Sequence, residues 1–201
     1  RSEKGYSDNR RPDEVKFETE LDKDLERRDF TVNAIALKIV DDNNEYVDLF
    51  GGSDDIKKKI IRAVGEPGDR FKEDALRMMR AIRFTCQLGF TLEPKTQRAI
   101  TKLAGSIKFI AKERIGDELI KILKSRKAFE GIILLNETKL LQYIIPELVN
   151  GTDIKQNHHH IYTVYKHLIM ALKHCPSDDW QVKLACLLHD VGKPKSRKII
   201  K

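Results

Sequence analysis

The chain has 201 residues, and its hydrophobic fraction of 40% is high enough to build a folded core. No apolar run approaches the ~20 residues that a membrane span needs, which excludes an integral membrane protein. No secretory signal pattern is visible either. The three cysteines, Cys86, Cys175 and Cys186, form no CxxC pair, so we expect reduced thiols and a cytoplasmic protein.

Charge is distributed unevenly along the chain. The whole chain carries 38 basic and 31 acidic side chains, a net charge of +7. Residues 1–66 carry 13 basic and 17 acidic side chains, whereas residues 67–150 carry 16 and 10, and residues 151–201 carry 9 and 4. The basic middle and tail favour a polyanionic partner such as nucleic acid. A lysine-rich solvated surface would explain the same composition equally well.

The first 66 residues predict short strands. The predicted extended segments are residues 14–17, 33–40, 45–49 and 60–64, with a turn at 41–44 and a short helix, N-capped by Ser53, that runs through Lys59. The second and third segments form a predicted hairpin. Because two-stranded ribbons are marginal alone, we expect residues upstream of Arg1 to belong to the same sheet.

The rest of the chain has helical periodicity. The predicted helices are 72–88, 94–104, 111–125, 127–137, 139–143, 161–174 and 179–189. The predicted fold class is therefore α+β, a small head with a β-sheet followed by a mostly helical neck and body. We place domain boundaries at 1–66, 67–150 and 151–201.

Residues 27–34, with the sequence RRDFTVNA, combine two arginines, a carboxylate, a hydroxyl and an amide. Arg28 could bind phosphate bidentately, and Asp29 and Asn33 could hydrogen-bond ribose hydroxyls. On this chemistry alone, local salt bridges at a loop end are the simpler explanation.

The predicted helix 72–88 has one apolar and one charged face. The charged face carries two acids and three arginines, Arg77, Arg80 and Arg83, spaced three residues apart. A solvated face with an i,i+4 pair between Glu73 and Arg77 is one explanation. A polyanionic ligand is another, since it would relieve the repulsion among the arginines.

Asp74 and Arg77 could read a nucleobase. Cytosine and adenine both present an amine donor beside a ring-nitrogen acceptor, so a carboxylate and a guanidinium match both bases. Uracil and guanine present the reverse order and would leave both side chains unpaired. This pair could therefore select C and A without a nucleic-acid template.

These motifs resemble those of the bacterial tRNA nucleotidyltransferase (CCA-adding) and poly(A) polymerase family. The resemblance rests on YSDNRRP at 6–12, on RRDFTVNA, on DLFGG at 48–52 with Asp55, and on EDALRMMRAIRF at 73–84. It implies that Asp74 and Arg77 read the base, that Arg80 and Arg83 lie toward the nucleotide, and that Arg28 contacts its sugar or phosphate. Residues 113–119, ERIGDEL, resemble the family's later neck motif, a structural support for the base-reading helix.

The resemblance also implies the reaction and its partners. The chain would be part of a template-independent enzyme that adds C and/or A to the 3′ end of tRNA from CTP and ATP. Transfer would use Mg²⁺ held by carboxylates. We expect those carboxylates upstream of Arg1, so we assign no catalytic residue within the chain and expect the chain alone to catalyse no transfer.

The tail carries a second candidate site. The segment 187–194, LLHDVGKP, with His167 upstream, resembles the HD phosphohydrolase superfamily, which implies that His167, His189 and Asp190 bind a divalent transition metal. We expect the last aspartate of that pattern beyond Lys201, so residues 151–201 would be the start of an all-α HD domain. A structural His–Asp pair that caps a helix is the alternative.

Three other functions stay open. They are a poly(A) polymerase, a metal-dependent phosphohydrolase that acts through the tail, and a non-catalytic RNA-binding piece. The charge distribution further predicts an RNA track over five neck lysines, Lys102, Lys108, Lys112, Lys121 and Lys124. Nothing in the sequence indicates an oligomeric state.

Overall fold

The computed structural model describes residues 2–4, 14–16, 20–40, 43–152 and 162–196. Three features of the sequence lie outside the described residues: the motif at 6–12, part of the predicted turn at 41–44, and the histidines at 158–160. Of the described part, the head comprises strands β1 (Ser2–Lys4) and β2 (Glu14–Lys16), helix α1 (Leu21–Glu26), strands β3 (Ile35–Val40) and β4 (Asn43–Asp48), helix α2 (Gly52–Lys58) and strand β5 (Ile60–Ile61).

The body that follows is almost entirely helical, as predicted. It comprises α3 (Pro67–Glu73), α4 (Leu76–Leu88), β6 (Thr91–Leu92), α5 (Pro94–Leu103), α6 (Lys112–Leu123), α7 (Ala128–Glu137), α8 (Leu141–Ile144), α9 (Pro146–Val149), α10 (Val164–Lys173), α11 (Trp180–Leu188) and α12 (Lys193–Ser196). None of the helices in the described part is long and apolar enough to cross a membrane.

Each sheet of the described residues has two strands. β1 pairs with β2 and β3 pairs with β4, both antiparallel, while β5 pairs in parallel with β6. The β3–β4 hairpin is predicted correctly, although Asn43 and Asn44 lie in β4 rather than in the turn. Ile39 and Tyr46 are 75% and 74% exposed on this hairpin, so one of its faces stays uncovered.

A single hydrophobic cluster connects head, neck and tail. It runs from Phe30 and Ile61 through the buried faces of α4, α6 and α7 to α10 and to Leu187 on α11. Met78, Met79 and Ile82 are completely buried, so α4 lies at the centre of the molecule and presents its other face to the head. The domain boundaries at 66 and 150 remain a prediction, since this core crosses both.

The largest correction concerns the predicted helix 72–88, which is two helices. Asp74 interrupts it with an extended backbone (φ −146°, ψ 107°), so α3 ends at Glu73 and α4 starts at Leu76. The side chain of Asp74 accepts a hydrogen bond from the backbone N–H of Leu76 at 2.9 Å and so caps α4. The 3.6-residue periodicity hides the break because apolar residues keep the same phase on both sides of it.

Ser53 is not the N-cap of α2, contrary to the prediction. The helix begins at Gly52, and the carboxylate of Asp48 accepts the backbone N–H groups of Gly52 and Ser53, each at 2.8 Å. A Cβ at Gly52 would overlap the carbonyl oxygen of Thr31. The DLFGG motif thus lets α2 pack directly on the backbone that follows Asp29.

Several element boundaries also differ from the prediction. The strand predicted at 60–64 covers only Ile60–Ile61, the helix predicted at 139–143 covers Leu141–Ile144, and α1 was not predicted. Lys139 adopts φ +61°, which excludes it from the helix. The side chain of Asp179 accepts a hydrogen bond from the backbone N–H of Gln181 and so caps the start of α11.

Candidate nucleotide and metal sites

The head and the body enclose a polar cavity of about 450 Å³ beside the start of α4. Six of the seven residues predicted to bind nucleotide line it: Arg28, Asp29, Asn33, Asp74, Arg77 and Arg80. Arg27, Leu76 and Arg114 complete the lining. Five arginines and two aspartates give this cavity a positively charged lining, although Asp24 and Glu73, just outside it, offset part of that charge. Arginine N–H groups suit a triphosphate.

The backbone of the RRDF segment is fixed by residues 62–64, which directly follow β5. Phe30 forms a β-bridge with Ala63, and Thr31 N–H and Val64 N–H donate to the carbonyls of Arg62 and Asp29. Below it, the hydroxyl of Thr31 donates to the buried carboxylate of Asp55 at 2.7 Å. These bonds place Asp29 at the wall of the cavity.

Asp29 organises the wall on the head side. Its side chain is 8% exposed and accepts hydrogen bonds from Asn33 Nδ2 at 3.1 Å and from Arg80 Nε at 2.7 Å. Asp29 therefore holds Arg80 in place, and its carboxylate is neutralised by that guanidinium. Arg28 lies nearer the rim, 47% exposed, where it pairs with Asp24 at 2.8 Å.

The two candidate base-reading side chains lie on the opposite wall. Asp74 accepts from Leu76 N–H with Oδ1 and from Arg114 Nη2 with Oδ2, both at 2.9 Å. A carboxylate offers about four acceptor positions, so two remain.

Arg77 is held by three contacts. Its guanidinium donates to Glu73 Oε2 at 2.7 Å and to the backbone carbonyls of Arg27 and Arg70 at 3.1 and 3.5 Å. A guanidinium has five N–H donors, so two remain for a ring nitrogen. Asp74 and Arg77 are therefore both fixed in orientation and both still able to bind a base.

Arg83 does not line this cavity, contrary to the expectation that it lies toward the nucleotide. It is 8% exposed and donates to the buried Glu118 on α6 at 3.1 Å. Burial lowers the pKa of the Arg83 guanidinium. The negative charge of Glu118 raises this pKa but offsets only part of the effect of burial. The Cζ atom of Arg83 also lies 4.3 Å from the centroid of the Phe84 ring. The third arginine of the motif thus joins α4 to α6.

Arg114 is one of three cavity residues that the sequence did not single out, and it is the one that contacts Asp74. It belongs to the ERIGDEL segment, whose support role was predicted as a whole. The structure gives that segment two contacts with the α4 region, one from Arg114 to Asp74 and one from Glu118 to Arg83. The spacing of these two residues, one turn apart on α6, is the signal that could have identified them.

The cavity does not fit Mg²⁺. Its two carboxylates, Asp29 and Asp74, are both paired with arginines, and hard divalent cations need free oxygen ligands. The described residues of the cavity therefore do not fit a magnesium site.

A second cluster lies at the end of α11. Nε2 of His167 lies 3.0 Å from Nε2 of His189, and both lie 3.4 Å from Oδ2 of Asp190. Ligands bound at about 2.1 Å from one metal ion are separated by roughly 3.0 to 3.4 Å, so the donors fit a shared cation. All three residues predicted to bind metal are thus brought together.

Two further contacts surround this cluster. The carbonyl of Cys186 lies 2.9 Å from Nδ1 of His189, the kind of contact that orients a metal-ligating imidazole. Burial raises the pKa of Asp190, but the hydrogen bond from Lys193 and the charge of His189 lower it more, so the net shift is downward. Lys193 Nζ forms an ion pair with Oδ2 of Asp190 at 2.5 Å.

Fold and cavity together define a small head with short strands, joined to a helical body, with a polar cavity between them. Residues 1–62 match the family model for the poly(A) polymerase head domain, and residues 89–151 match one described as a probable RNA and SrmB-binding site of polymerase A. The chain belongs to the family of poly(A) polymerases and bacterial tRNA nucleotidyltransferases.

Curated relatives are tRNA-modifying enzymes. A CCA-adding enzyme of Lactobacillus helveticus is 54% identical over 133 residues, 65% of this chain and 33% of that protein. An A-adding tRNA nucleotidyltransferase of Deinococcus radiodurans is 41% identical over 193 residues, 92% of this chain and 43% of that protein. The chain thus spans well under half the length of either relative.

Solved structures share the fold. The Bacillus stearothermophilus CCA-adding enzyme in complex with CTP has a TM-score of 0.62 at 32% identity, over 88% of this chain and 47% of that one. A tRNA nucleotidyltransferase complexed with a primer tRNA and an incoming ATP analogue has a TM-score of 0.68 at 28% identity, over 85% and 50% of the two chains.

Proposed function

We propose that this chain is the nucleotide-selecting part of a tRNA nucleotidyltransferase that adds C and A to the tRNA 3′ end. One observation carries the proposal: Asp74 and Arg77 line one cationic cavity with hydrogen-bonding capacity left over. The names of the relatives, which include CCA-adding and A-adding enzymes, support it. Such an enzyme would work in the cytoplasm, where tRNA is processed, with Mg²⁺ held by residues outside this cavity.

In this proposal each cavity residue has a defined task. Asp74 accepts the exocyclic amine of C or A, and Arg77 donates to the adjacent ring nitrogen. Arg80 and Arg28 contact the sugar and phosphates, and Asn33 and Asp29 hydrogen-bond the ribose. Arg114 and Glu73 hold the two base-reading side chains. A uracil or guanine would leave buried polar groups unpaired, at a cost of about 1–3 kcal/mol.

Calorimetric titration of the chain with the four nucleoside triphosphates tests the proposal. We expect CTP and ATP to bind at least about tenfold more tightly than UTP and GTP, the equivalent of roughly 1.4 kcal/mol. Asp74→Asn should remove most of that preference because the amide adds a donor where only an acceptor is wanted. Asp54→Asn, which changes an exposed carboxylate of the head, is the matched control.

The outcomes separate the alternatives. Equal binding of all four nucleotides by the wild type would refute base selection. Binding of ATP without CTP would favour a poly(A) polymerase or an A-adding tRNA nucleotidyltransferase.

A second function is favoured by the convergence of His167, His189 and Asp190. We propose that this cluster binds a divalent transition metal as part of an HD-type site. Two imidazoles and one carboxylate are ligands that such ions accept, and an ion bound there would supply Lewis-acid chemistry. Phosphohydrolase activity of the tail is the corresponding alternative function.

Titration with Ni²⁺, Co²⁺ or Mn²⁺ tests the metal site directly. His189→Gln should weaken binding at least about tenfold, since it removes one of three ligands. His174→Gln is the control, because His174 is exposed and lies outside the cluster. Unchanged affinity in His189→Gln would show that the ligands are assigned wrongly.

A further inference from the structure

A mostly apolar cavity of about 440 Å³ is lined by residues of α4, β6, α5 and α7. Buried Cys86 lines it together with five partly buried apolar side chains, those of Phe90, Leu92, Phe129, Ile133 and Leu134. None of the described residues that line it also lines the nucleotide cavity. Cavities of this volume are large enough for a small organic group such as a nucleobase.

A basic cluster adjoins the apolar cavity. It consists of Arg98, Lys102 and Lys139, which are exposed and line a neighbouring cavity of about 460 Å³. Gln97 on α5 lines both cavities, so the two meet at this side chain. A ligand that fills both would therefore carry an uncharged, flat or apolar part beside a negatively charged part.

The charged residues of the apolar cavity favour a base over a phosphate. Glu130 and Glu137 line it, with Lys127 as the one cation among the described lining residues, so a phosphate would meet more negative than positive charge. Carboxylate oxygens accept hydrogen bonds from N–H groups, which each of the four RNA bases carries on its edge. Phe90 and Phe129 provide aromatic rings on which a base can stack.

We propose that the apolar cavity binds an unpaired base of an RNA whose phosphates lie on the basic cluster. All of its lining residues except Thr85 and Cys86 belong to residues 89–151, the segment that matches the RNA-binding family model. Unpaired RNA is typically recognised by stacking on aromatic side chains together with hydrogen bonds to base edges. The proposal rests on the tRNA substrate of the proposed function, but not on base selection by Asp74 and Arg77.

Photo-cross-linking locates the base. Octauridylate that carries one 4-thiouridine is bound to the wild-type chain and irradiated with near-ultraviolet light, and the cross-linked tryptic peptide is identified by mass spectrometry. We expect cross-links in peptides 84–95 and 128–139, which contain the aromatic and aliphatic lining. Cross-links confined to other peptides would overturn the proposal and would favour an apolar side chain of a protein partner as the occupant.

Fluorescence anisotropy separates the base from the phosphates. Labelled octauridylate and a labelled abasic oligomer of eight ribose phosphates are titrated with the wild type and with Phe129→Leu, which removes the ring but keeps an apolar side chain on α7. We expect Phe129→Leu to bind octauridylate at least about fivefold more weakly, as for the loss of one stacked base, and the abasic oligomer equally well. Phe109→Leu is the matched control, because Phe109 is 57% exposed and lines neither cavity.

Three results of this titration would overturn the proposal. They are equal octauridylate affinity of the wild type and Phe129→Leu, an equal loss for the abasic oligomer, and an equal loss in Phe109→Leu. Each would show that no base stacks on Phe129 in the cavity.

Titration with CTP keeps this proposal apart from the proposed function. Phe129→Leu should bind CTP like the wild type, because the two cavities share no described residue. Cross-links at the apolar cavity without any preference for CTP over UTP would refute base selection and leave this proposal standing. A preference for CTP without octauridylate binding to the wild type would overturn this proposal alone.

Discussion

At the scale of single residues, the cavity consists of side chains that bind one another in pairs. Asp74 pairs with Arg114, Arg77 with Glu73 and Arg80 with Asp29. The sequence motifs predicted six of the residues that line the cavity, because their chemistry matches a nucleotide. They did not identify Arg114, because its partner Asp74 lies 40 positions away in the sequence. The sequence pattern does not show which distant residues come into contact when the chain folds.

Replacing Arg114 should therefore weaken nucleotide binding without removing a ligand contact. Arg114→Met replaces the arginine with a long uncharged side chain. The Asp74 carboxylate then keeps one hydrogen bond, from the backbone N–H of Leu76. We expect CTP and ATP to bind roughly tenfold more weakly, as when a charged hydrogen bond is lost. Titration calorimetry measures this, with Arg126→Met as the control for an exposed arginine outside the cavity. Unchanged affinity for both nucleotides would show that Asp74 needs no such partner.

Asp48 provides a prediction about stability and pH. Burial raises the pKa of Asp48, but the backbone N–H groups of Ser53 and Gly52 lower it more, so the net pKa lies below the ordinary value of 3.8. Because the folded pKa is depressed, the stabilisation is complete above the unfolded pKa and is lost as the pH falls through the folded one.

Asp48→Ala should then lower the free energy of unfolding by about 1 kcal/mol at pH 7, as for the loss of an N-cap. The difference from the wild type should shrink as the pH falls below about 4. Urea titrations followed by circular dichroism measure both effects. Asp54→Ala, which removes an exposed carboxylate on α2, should change the free energy of unfolding little. A difference between Asp48→Ala and the wild type that persists at low pH would contradict the capping of α2 by Asp48.

At the scale of elements, the break between α3 and α4 determines the position of the Asp74 side chain. A continuous helix would give Asp74 helical geometry, whereas the extended backbone lets its side chain both cap α4 and face the cavity. Hydrophobic periodicity predicted α5, α6, α7, α10 and α11 with small errors at their ends, because each presents one regular apolar face. It could not reveal the break, since a one-residue change of backbone conformation leaves the pattern intact.

The contact between α4 and α6 depends on a buried ion pair. Arg83 and Glu118 are 8% and 3% exposed, so removing Arg83 leaves the buried Glu118 carboxylate with the half-exposed Lys121 as its remaining ion-pair partner among the described residues. We expect Arg83→Met to lower the free energy of unfolding by about 3 kcal/mol. Adding Glu118→Leu should recover a substantial part of this loss, because two apolar side chains can replace a buried pair. A double-mutant cycle by urea unfolding measures the coupling, and additive losses would show that the pair contributes nothing.

At the scale of the whole molecule, the sequence predicted an α+β head, a helical body and two candidate sites in the correct order. Six of the seven residues predicted to bind nucleotide line one cavity, and the three predicted to bind metal lie together, but their roles stay predictions. The sequence could not show that one core runs from Phe30 to Leu187, because that cluster is assembled from contacts distant in sequence. The hydrogen bond from buried Lys183 on α11 to the carbonyl of Ser125, at 3.2 Å, also joins residues that are distant in sequence.

The predicted RNA track can now be narrowed. All five lysines proposed for it are exposed, but Lys121 is paired with Glu118 and Lys108 stacks on Tyr143. A cavity of about 460 Å³ on α5 brings one of the five, Lys102, together with Arg98 and Lys139. No ion pair is seen for these three cations among the described residues. They lie within residues 89–151, the segment that matches the RNA-binding family model.

We expect this basic cluster to bind tRNA phosphates. Because each neutralised phosphate releases counterions, the logarithm of tRNA affinity should fall steeply with the logarithm of salt concentration, by about 0.7 to 0.9 per contact. Changing Arg98, Lys102 and Lys139 to Gln should flatten that slope by about 2 and leave ATP affinity unchanged. Lys38, Lys57 and Lys58, exposed on the acidic head, form the control triple. Fluorescence anisotropy with labelled tRNA at several salt concentrations measures the slopes. If both triple variants flatten the slope equally, the cations act through net charge alone, and the cluster on α5 is not the RNA track.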